Sequence, residues 1–271
     1  MVRSLWTAAT GMRAQQTNVD TIANNLANVN TVGFKKETNE FKSLLYQTIQ
    51  AKTTSANGET KPVGAQVGLG VKNASITSVF GQGNIQTTDK DTDFAIEGKG
   101  FFTVMGLDGE TYYTRNGAFT WATSEGGVML ANSDGLPILD IDGNAIEFDT
   151  EEYDVSAITI DSYGNVCYPD ETGNAQSLDI QIGLVQFANP SGLDKQGGTL
   201  YKVTDASGEP VYEVDGVLKR SNLKQRCLEM SNVQVVDEMV NLIVAQRAYE
   251  MNSRAITTSD EMMQQANQLK R

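Results

Sequence analysis

Three clusters in this chain carry the residue types of a working site. Asp140-Ile141-Asp142-Gly143-Asn144 has the oxygen-bearing side chains of a calcium loop. Such a loop needs ligands at three alternate positions before its glycine and a bidentate Glu well beyond it. Here the glycine arrives too early, and the run reads as a hairpin turn. Gly98-Lys99-Gly100 offers backbone N–H groups to a phosphate. The third glycine is missing, and a strand pattern follows where a phosphate cradle needs a helix N-terminus, so a turn or bulge is expected. Asp89, Asp91, Asp93, Glu151 and Glu152 could supply a carboxylate pair for glycoside hydrolysis, but nothing marks any of them as buried. The chain has no histidine. That excludes Ser-His-Asp and Cys-His nucleophile systems and His-containing zinc sites. No catalytic, cofactor-binding or metal residues are assigned, and the chain is not expected to be an enzyme.

The formal net charge of −13 is unevenly placed. Asn84 to Gly216 holds 24 acids and 5 bases, a net −19, and the two ends hold 10 acids and 16 bases, a net +6. An acidic middle argues against a nucleic-acid partner, which needs a basic surface. No run is long and apolar enough to insert in a membrane. The N-terminus lacks the apolar core and small-residue cleavage site of a secretory signal, which by itself points to the cytoplasm. Cys167 and Cys227 lie in different kinds of segment and are read as two unpaired thiols.

The elements that would position any site begin with a helix over Leu5 to about Val29. Met12, Val19, Ile22, Leu26 and Val29 recur at three- and four-residue steps and form one apolar stripe. Gln15, Gln16, Asn18, Asn24, Asn25 and Asn28 fill the gaps with amides where charges are usual. Asn28, Asn30 and Gly33 suit the end of the helix, and Phe34 follows as an apolar anchor. After a short apolar stretch, Phe41 to Gln50, the segment Ala51 to Gly70 turns polar and Gly-rich and should be extended or irregular. From Phe80 to about Gly216, β-favouring runs alternate with Asp108-Gly109, Asn116-Gly117, Asp134-Gly135, Asp142-Gly143 and Gly164-Asn165, which are hairpin cues. Leu178, Ile180, Ile182 and Leu184 alternate cleanly. This middle should be an antiparallel β domain. The helical period returns at Ser231, where Ser231 and Gln234 make a capping box. A second stripe follows, Val235, Met239, Leu242, Tyr249, Ile256 and Met263, flanked by Val236, Ile243 and Ala245. A helix of about 38 residues would be roughly 57 Å long.

The run Ala23-Asn24-Asn25-Leu26-Ala27-Asn28, with Thr31, Gly33, Phe34 and Lys35, resembles the N-terminal signature of the axial proteins of the bacterial flagellum, the rod and hook family. Val233, Asp237 to Asn241 and Gln246 to Glu250 resemble its C-terminal signature. Ala95 to Phe102 and Tyr113 to Gly117 look like its shared β core, and Leu44 to Ile49 with the polar stretch after it looks most like the distal rod branch. Asp140 to Asp154 and Gln196 to Leu218 fit no part of the pattern.

The resemblance implies an α+β fold, in which N- and C-terminal helices form a coiled-coil-like tube domain near the axis, with the antiparallel β domain, central in the sequence, on the outside. Residues 1–45 and 228–271 would be a discontinuous helical assembly core, 46–80 an extended strap and 81–227 the β domain. The expected assembly core is Met12, Val19, Ile22, Asn25, Leu26, Val29, Gly33, Phe34, Val235, Met239, Leu242, Ile243, Tyr249 and Ile256. The expected strap residues are Thr53, Asn57, Gly58, Pro62 and Gly64. The function implied is a structural subunit of the distal rod, a helical homopolymer that carries torque and forms part of the export channel. Implied partners are proximal rod proteins, the hook protein, a rod cap, ring bushing proteins where an outer membrane exists, and the flagellar export apparatus. The implied location is the basal body, outside the cytoplasmic membrane, reached without a cleaved signal peptide. Alternatives are another axial protein, proximal rod or hook, or a β-rich surface-binding module with helical arms.

Overall fold

Among the described residues, α1 (Val2–Ala27) and a long C-terminal helix, α2 (Val235–Gln268), stand before and after twenty short strands in chain order. In this computed structural model, residues 2–50, 64–124, 126–149, 153–169, 175–216 and 218–269 are described. The fold is α+β, and among the described residues every strand pairing is antiparallel. The chain divides into two units that interleave along the sequence. Unit 1 takes Met1–Ala27, Glu37–Ser78 and Gln234–Arg271, and unit 2 takes Asn28–Lys36 and Val79–Val233.

In unit 1, α1 runs 26 residues and α2 runs 34, or about 39 and 51 Å at 1.5 Å per residue. Strands β1 (Glu37–Ser43) and β4 (Val71–Ser78) pair along their length and pack on α1. Strands β2 (Tyr46–Gln50) and β3 (Ala65–Gly68) form a second ribbon, exposed along almost its whole length. The described part of the expected strap is therefore extended and paired. Gly64 is half-buried, whereas Thr53, Asn57, Gly58 and Pro62 lie outside the described residues.

Unit 2 opens with β5 (Ile85–Thr87), β6 (Phe94–Glu97), β7 (Phe101–Met105) and β8 (Thr111–Thr114). Its largest sheet has six strands, in the order Asp194–Gly197, Leu200–Lys202, β8, β7, Leu184–Gln186, Val211–Tyr212. Two apolar cores lie on it, one around Phe102, Phe119, Ile138 and Ile182, the other around Phe101, Tyr113, Phe187 and Tyr201. The Phe-Phe pair at the start of β7 explains why there are two. Neighbouring side chains on a strand point to opposite faces, so Phe101 and Phe102 each anchor one core.

Several sequence expectations need correction. α1 ends at Ala27, so Val29 lies in the turn that follows. That turn is closed by Thr31 N–H donating to the Asn28 carbonyl and by the Thr31 hydroxyl bonded to the Asn28 side chain. The capping box at Ser231 does not form. The Ser231 hydroxyl takes the N–H of Val233, and α2 begins only at Val235, with no side-chain cap on it. Asp108-Gly109 does turn the β7–β8 hairpin. Asn116-Gly117 does not join paired strands, because β8 pairs with β7 and Leu200–Lys202, and the next strand, Thr120–Ser124, pairs with Gly127–Ala131. Gly117 is needed for space: a Cβ there would lie 1.7 Å from the Phe94 carbonyl oxygen. No described helix is long and apolar enough to cross a membrane.

Candidate assembly site

The two helices of unit 1 pair antiparallel in a register that three contacts define. The Ser4 and Ser259 hydroxyls lie 3.4 Å apart. A Cβ on Gly11 would meet the Asn252 amide at 2.9 Å. Asn25 Nδ2 donates to Glu238 Oε2 at 3.2 Å. From Ser4 to Gly11 is seven residues, as is Ser259 back to Asn252; from Gly11 to Asn25 is fourteen, as is Asn252 back to Glu238. The contacts therefore recur at one- and two-heptad steps, the spacing at which two helices keep the same faces together. All three contacts involve polar or very small side chains. The amides that looked out of place on a solvated helix face supply part of this seam.

Asn25 holds three elements at once. Its Oδ1 accepts the Glu37 N–H at 2.8 Å, its Nδ2 donates to the Glu37 carbonyl at 2.8 Å, and the same Nδ2 reaches Glu238. The amide thus mimics one rung of a β ladder, tying the start of β1 to α1 while contacting α2. Asn25 and Glu238 are each 1% exposed.

Within α2 only Glu238, Ala245 and Ser259 are buried, so most of its apolar side chains stay at least partly exposed. Val236 is 74% exposed and Met251 65%, and Val240, Ile243 and Val244 between them are also exposed. Counted from Val236 the other four fall at +4, +7, +8 and +15, and so share one side of the helix. Of the residues expected in the assembly core, Ile22 and Asn25 are buried, while Met12, Val19, Leu26, Leu242 and Ile256 are half-buried. Val235, Met239, Ile243 and Tyr249 are exposed in the single chain. Val19 and Tyr249 meet at a groove of about 430 Å³ that Gln16, Gln246 and Glu250 also line.

Val29, Gly33 and Phe34 belong to unit 2, where Phe34 and Val29 are half-buried. Gly33 has φ +70°, and a Cβ there would sit 2.6 Å from the Asn116 nitrogen. Its N–H donates to the Glu229 carbonyl at 2.8 Å. Two residues on, the Lys35 ammonium is buried and donates to Glu229 Oε1 at 2.6 Å and to the Gly81 carbonyl at 2.9 Å. Arg115 Nη1 donates to Glu229 Oε2 at 3.2 Å, and its Nη2 to the Gly98 carbonyl at 2.7 Å. The Arg115 guanidinium lies 5.1 Å from the Phe101 ring centre. Burial pushes Lys35 below its ordinary value against the pull of Glu229, and does the same to Arg115.

Sequence reasoning missed Glu229, Glu238 and the burial of Lys35 and Arg115. Two signals were present: a Lys in a motif that otherwise turns a corner, and an Arg among the five bases of an acidic middle.

The chemical candidates resolve as structure. Gly143 N–H donates to the Asp140 carbonyl and Asp142 N–H to the Asp140 side chain, which closes a turn. Gly98-Lys99-Gly100 joins β6 to β7, and the Gly100 N–H donates to the Ser221 hydroxyl. Asp91 pairs with Arg226, Asp93 is buried, and Glu151 and Glu152 lie outside the described residues. Cys167 and Cys227 are free thiols.

Comparison with known proteins covers the elements just described. Residues 5–35 match the flagella basal body rod protein family, residues 95–168 the flagellar hook protein FlgE/F/G D1 domain, and residues 224–269 the flagellar basal body rod FlgEFG protein C-terminal family. The flagellar basal-body rod protein FlgG of Borreliella burgdorferi is 47% identical over 100% of both chains. That of Buchnera aphidicola from Schizaphis graminum is 42% identical over 99% of this chain and 100% of its own. That of Bacillus subtilis is 40% identical over 100% of both. The solved flagellar hook protein FlgE2 of Helicobacter pylori covers 65% of this chain and 48% of its own at 15% identity, with a TM-score of 0.24, too low to bear on the fold. Identity at this level from end to end settles the family: the chain belongs to the flagellar basal-body rod proteins of the FlgG type.

Proposed function

We propose that this chain is the repeating subunit of the distal rod, polymerising head to tail into a helical tube that carries torque toward the hook and encloses part of the export channel. The family is structural rather than enzymatic, and the protein is part of the flagellum. One observation supports the tube most directly. α2 buries only Glu238, Ala245 and Ser259 and leaves the row Val236, Val240, Ile243, Val244 and Met251 facing outward. Such a row on a soluble chain marks an interaction surface. Contacts between unlike surfaces that fail to close into a ring build a helical filament. In this reading α1 and α2 form the coiled-coil-like inner wall together with neighbouring copies, and the expected core residues that are exposed in one chain are covered by the next.

The same reading gives the partners and the place. Proximal rod proteins would cap one end and the hook protein the other, with a rod cap during growth and bushing rings where an outer membrane exists. The subunit would pass the flagellar export apparatus and work outside the cytoplasmic membrane.

Val240→Asp and Val244→Asp test the proposal. Both side chains are exposed in the single chain, so the monomer should keep its helix content and thermal midpoint. Each variant would bury an uncompensated charge at every subunit contact, which costs several kcal/mol. Light scattering and electron microscopy should show filaments from the parent and none from either variant. Filaments of normal yield from both would refute it.

A further inference from the structure

We propose that Asn25 and Glu238 are the register-setting pair of the α1–α2 hairpin, positioning residues that decide which heptad of one helix meets which heptad of the other. This rests on the reading of the chain as a polymerising subunit, because a tube of identical subunits needs the outward apolar row of α2 in one phase only.

The seam itself explains the need. Ser4, Ala8 and Gly11 on α1 and Ala245 and Ser259 on α2 are small. A seam of small side chains looks much the same after one helix slides a heptad, about 10 Å, along the other. Over that stretch a slide would repeat small-against-small contacts. Asn25 and Glu238 are different. Both are buried, and their hydrogen bond exists only in the observed register. Any slide leaves a buried carboxyl and a buried amide hydrogen without each other, and unmade buried polar contacts are costly. A single buried polar residue sets register in coiled coils by the same logic, at some cost in stability. Asn25 adds a second constraint. Its amide is also bonded to both backbone groups of Glu37, so the pin refers α2 to the β1–β4 sheet as well as to α1.

The seam can be read by disulfide formation in a chain whose own thiols are removed by Cys167→Ser and Cys227→Ser. In the observed register, Ser4→Cys with Ser259→Cys should cross-link, since the native hydroxyls are 3.4 Å apart. Ser4→Cys with Ala266→Cys, one heptad further along α2, should not. Glu238→Leu should lower the ratio of the first cross-link to the second about tenfold, the scale of one unmade buried hydrogen bond, without lowering helix content. Glu238→Gln, which keeps an acceptor for Asn25, should restore the ratio. Moving the pin gives the stronger test. Glu238→Leu combined with Ala245→Glu places the carboxyl one heptad on, and the Ser4–Ala266 cross-link should become the dominant one. A misfolded variant cannot produce that gain.

Unchanged cross-link ratios in both variants would overturn the register assignment, whatever the filaments do. A shifted ratio with filaments of unaltered helical order would overturn the link to assembly. Failure of the parent to form filaments would strike the polymer reading and leave the monomer cross-linking result standing.

Discussion

Lys35→Met should destabilise unit 2 by about 3 kcal/mol and Glu229→Gln by about 4–5 kcal/mol, within the range for breaking a buried ion pair by removing one partner. The order follows from the hydrogen bonds. Glu229 receives three donors: Lys35 at 2.6 Å, the Gly83 N–H at 2.8 Å and Arg115 at 3.2 Å. With Met at position 35, two of the three remain, and the Gly81 carbonyl keeps the Asn232 amide at 3.2 Å. The loss therefore falls at the low end. With Gln at position 229, the Lys35 and Arg115 cations are left buried together with no carboxylate between them, so the loss falls at the high end. Trp121 packs against the Phe148 ring in unit 2 and can report its unfolding. Trp6→Phe removes the only other tryptophan. Urea titrations followed by Trp121 fluorescence should show the midpoint falling from parent to Lys35→Met to Glu229→Gln with unchanged slope. Heating should lower the midpoint of Lys35→Met by about 6–12 °C, at roughly 2–4 °C per kcal/mol for a domain of this size. A Lys35→Met variant within about 1 kcal/mol of the parent, or one less stable than Glu229→Gln, would refute the reasoning, since surface substitutions usually stay within about ±0.5 kcal/mol.

Tyr113 is buried against Phe187, and burial raises its phenol to about 12 from an ordinary value of 10.0. The folded state then holds a proton that the unfolded state has released, so stability should fall as pH rises from 10 toward 12. Tyr113→Phe should flatten that decline, as read by urea titration across the same window. Deletion of Ala51 to Gln66 tests the strap directly. The segment's ends are held side by side where Gln50 pairs with Ala65, so it can reach at most roughly 25 Å beyond that ribbon, far enough to touch a neighbouring subunit. Filaments without it should bend visibly in electron micrographs, and equally straight filaments would leave the segment a mere loop.

Local patterns were legible in the sequence wherever structure is local. The three- and four-residue steps that include Ile22 located the buried side of α1, and Asp108-Gly109 located a true hairpin. The alternation ending at Ile182 and Leu184 located residues of the main core. What could not be read depends on contacts between distant residues. Lys35 and Glu229 are 194 positions apart, and Asn25 and Glu238 are 213 apart. No spacing rule connects them, so nothing in the sequence marked Lys35 as buried. Asn116-Gly117 misled because a turn cue states only that small, flexible backbone is needed. Here the need comes from the Phe94 carbonyl pressing on Gly117. Ser231 misled in the same way, since its hydroxyl is spent on Val233 before the helix starts. Apolar stripes suggested that α1 and α2 would meet through apolar residues. In the single chain α2 instead buries Glu238, Ala245 and Ser259, while Val236, Val240, Ile243 and Val244 face outward.

The interleaving of the two units sets a timetable. The chain passes from one unit to the other four times, after Ala27, Lys36, Ser78 and Val233. A chain that emerges N-terminus first delivers α1 at once and its partner α2 last. At about 5–20 residues per second of synthesis, the interval between them is roughly 10–40 s. During it α1 has no seam to occupy, and a lone helix of weak propensity is marginal in water. Unit 2 waits too, since Glu229 must arrive before Lys35 can be buried. Neither unit can close on a truncated chain, so completion of both becomes a report that the whole chain is present. A subunit that joins others only through a finished α1–α2 pair would thereby exclude fragments from whatever it builds.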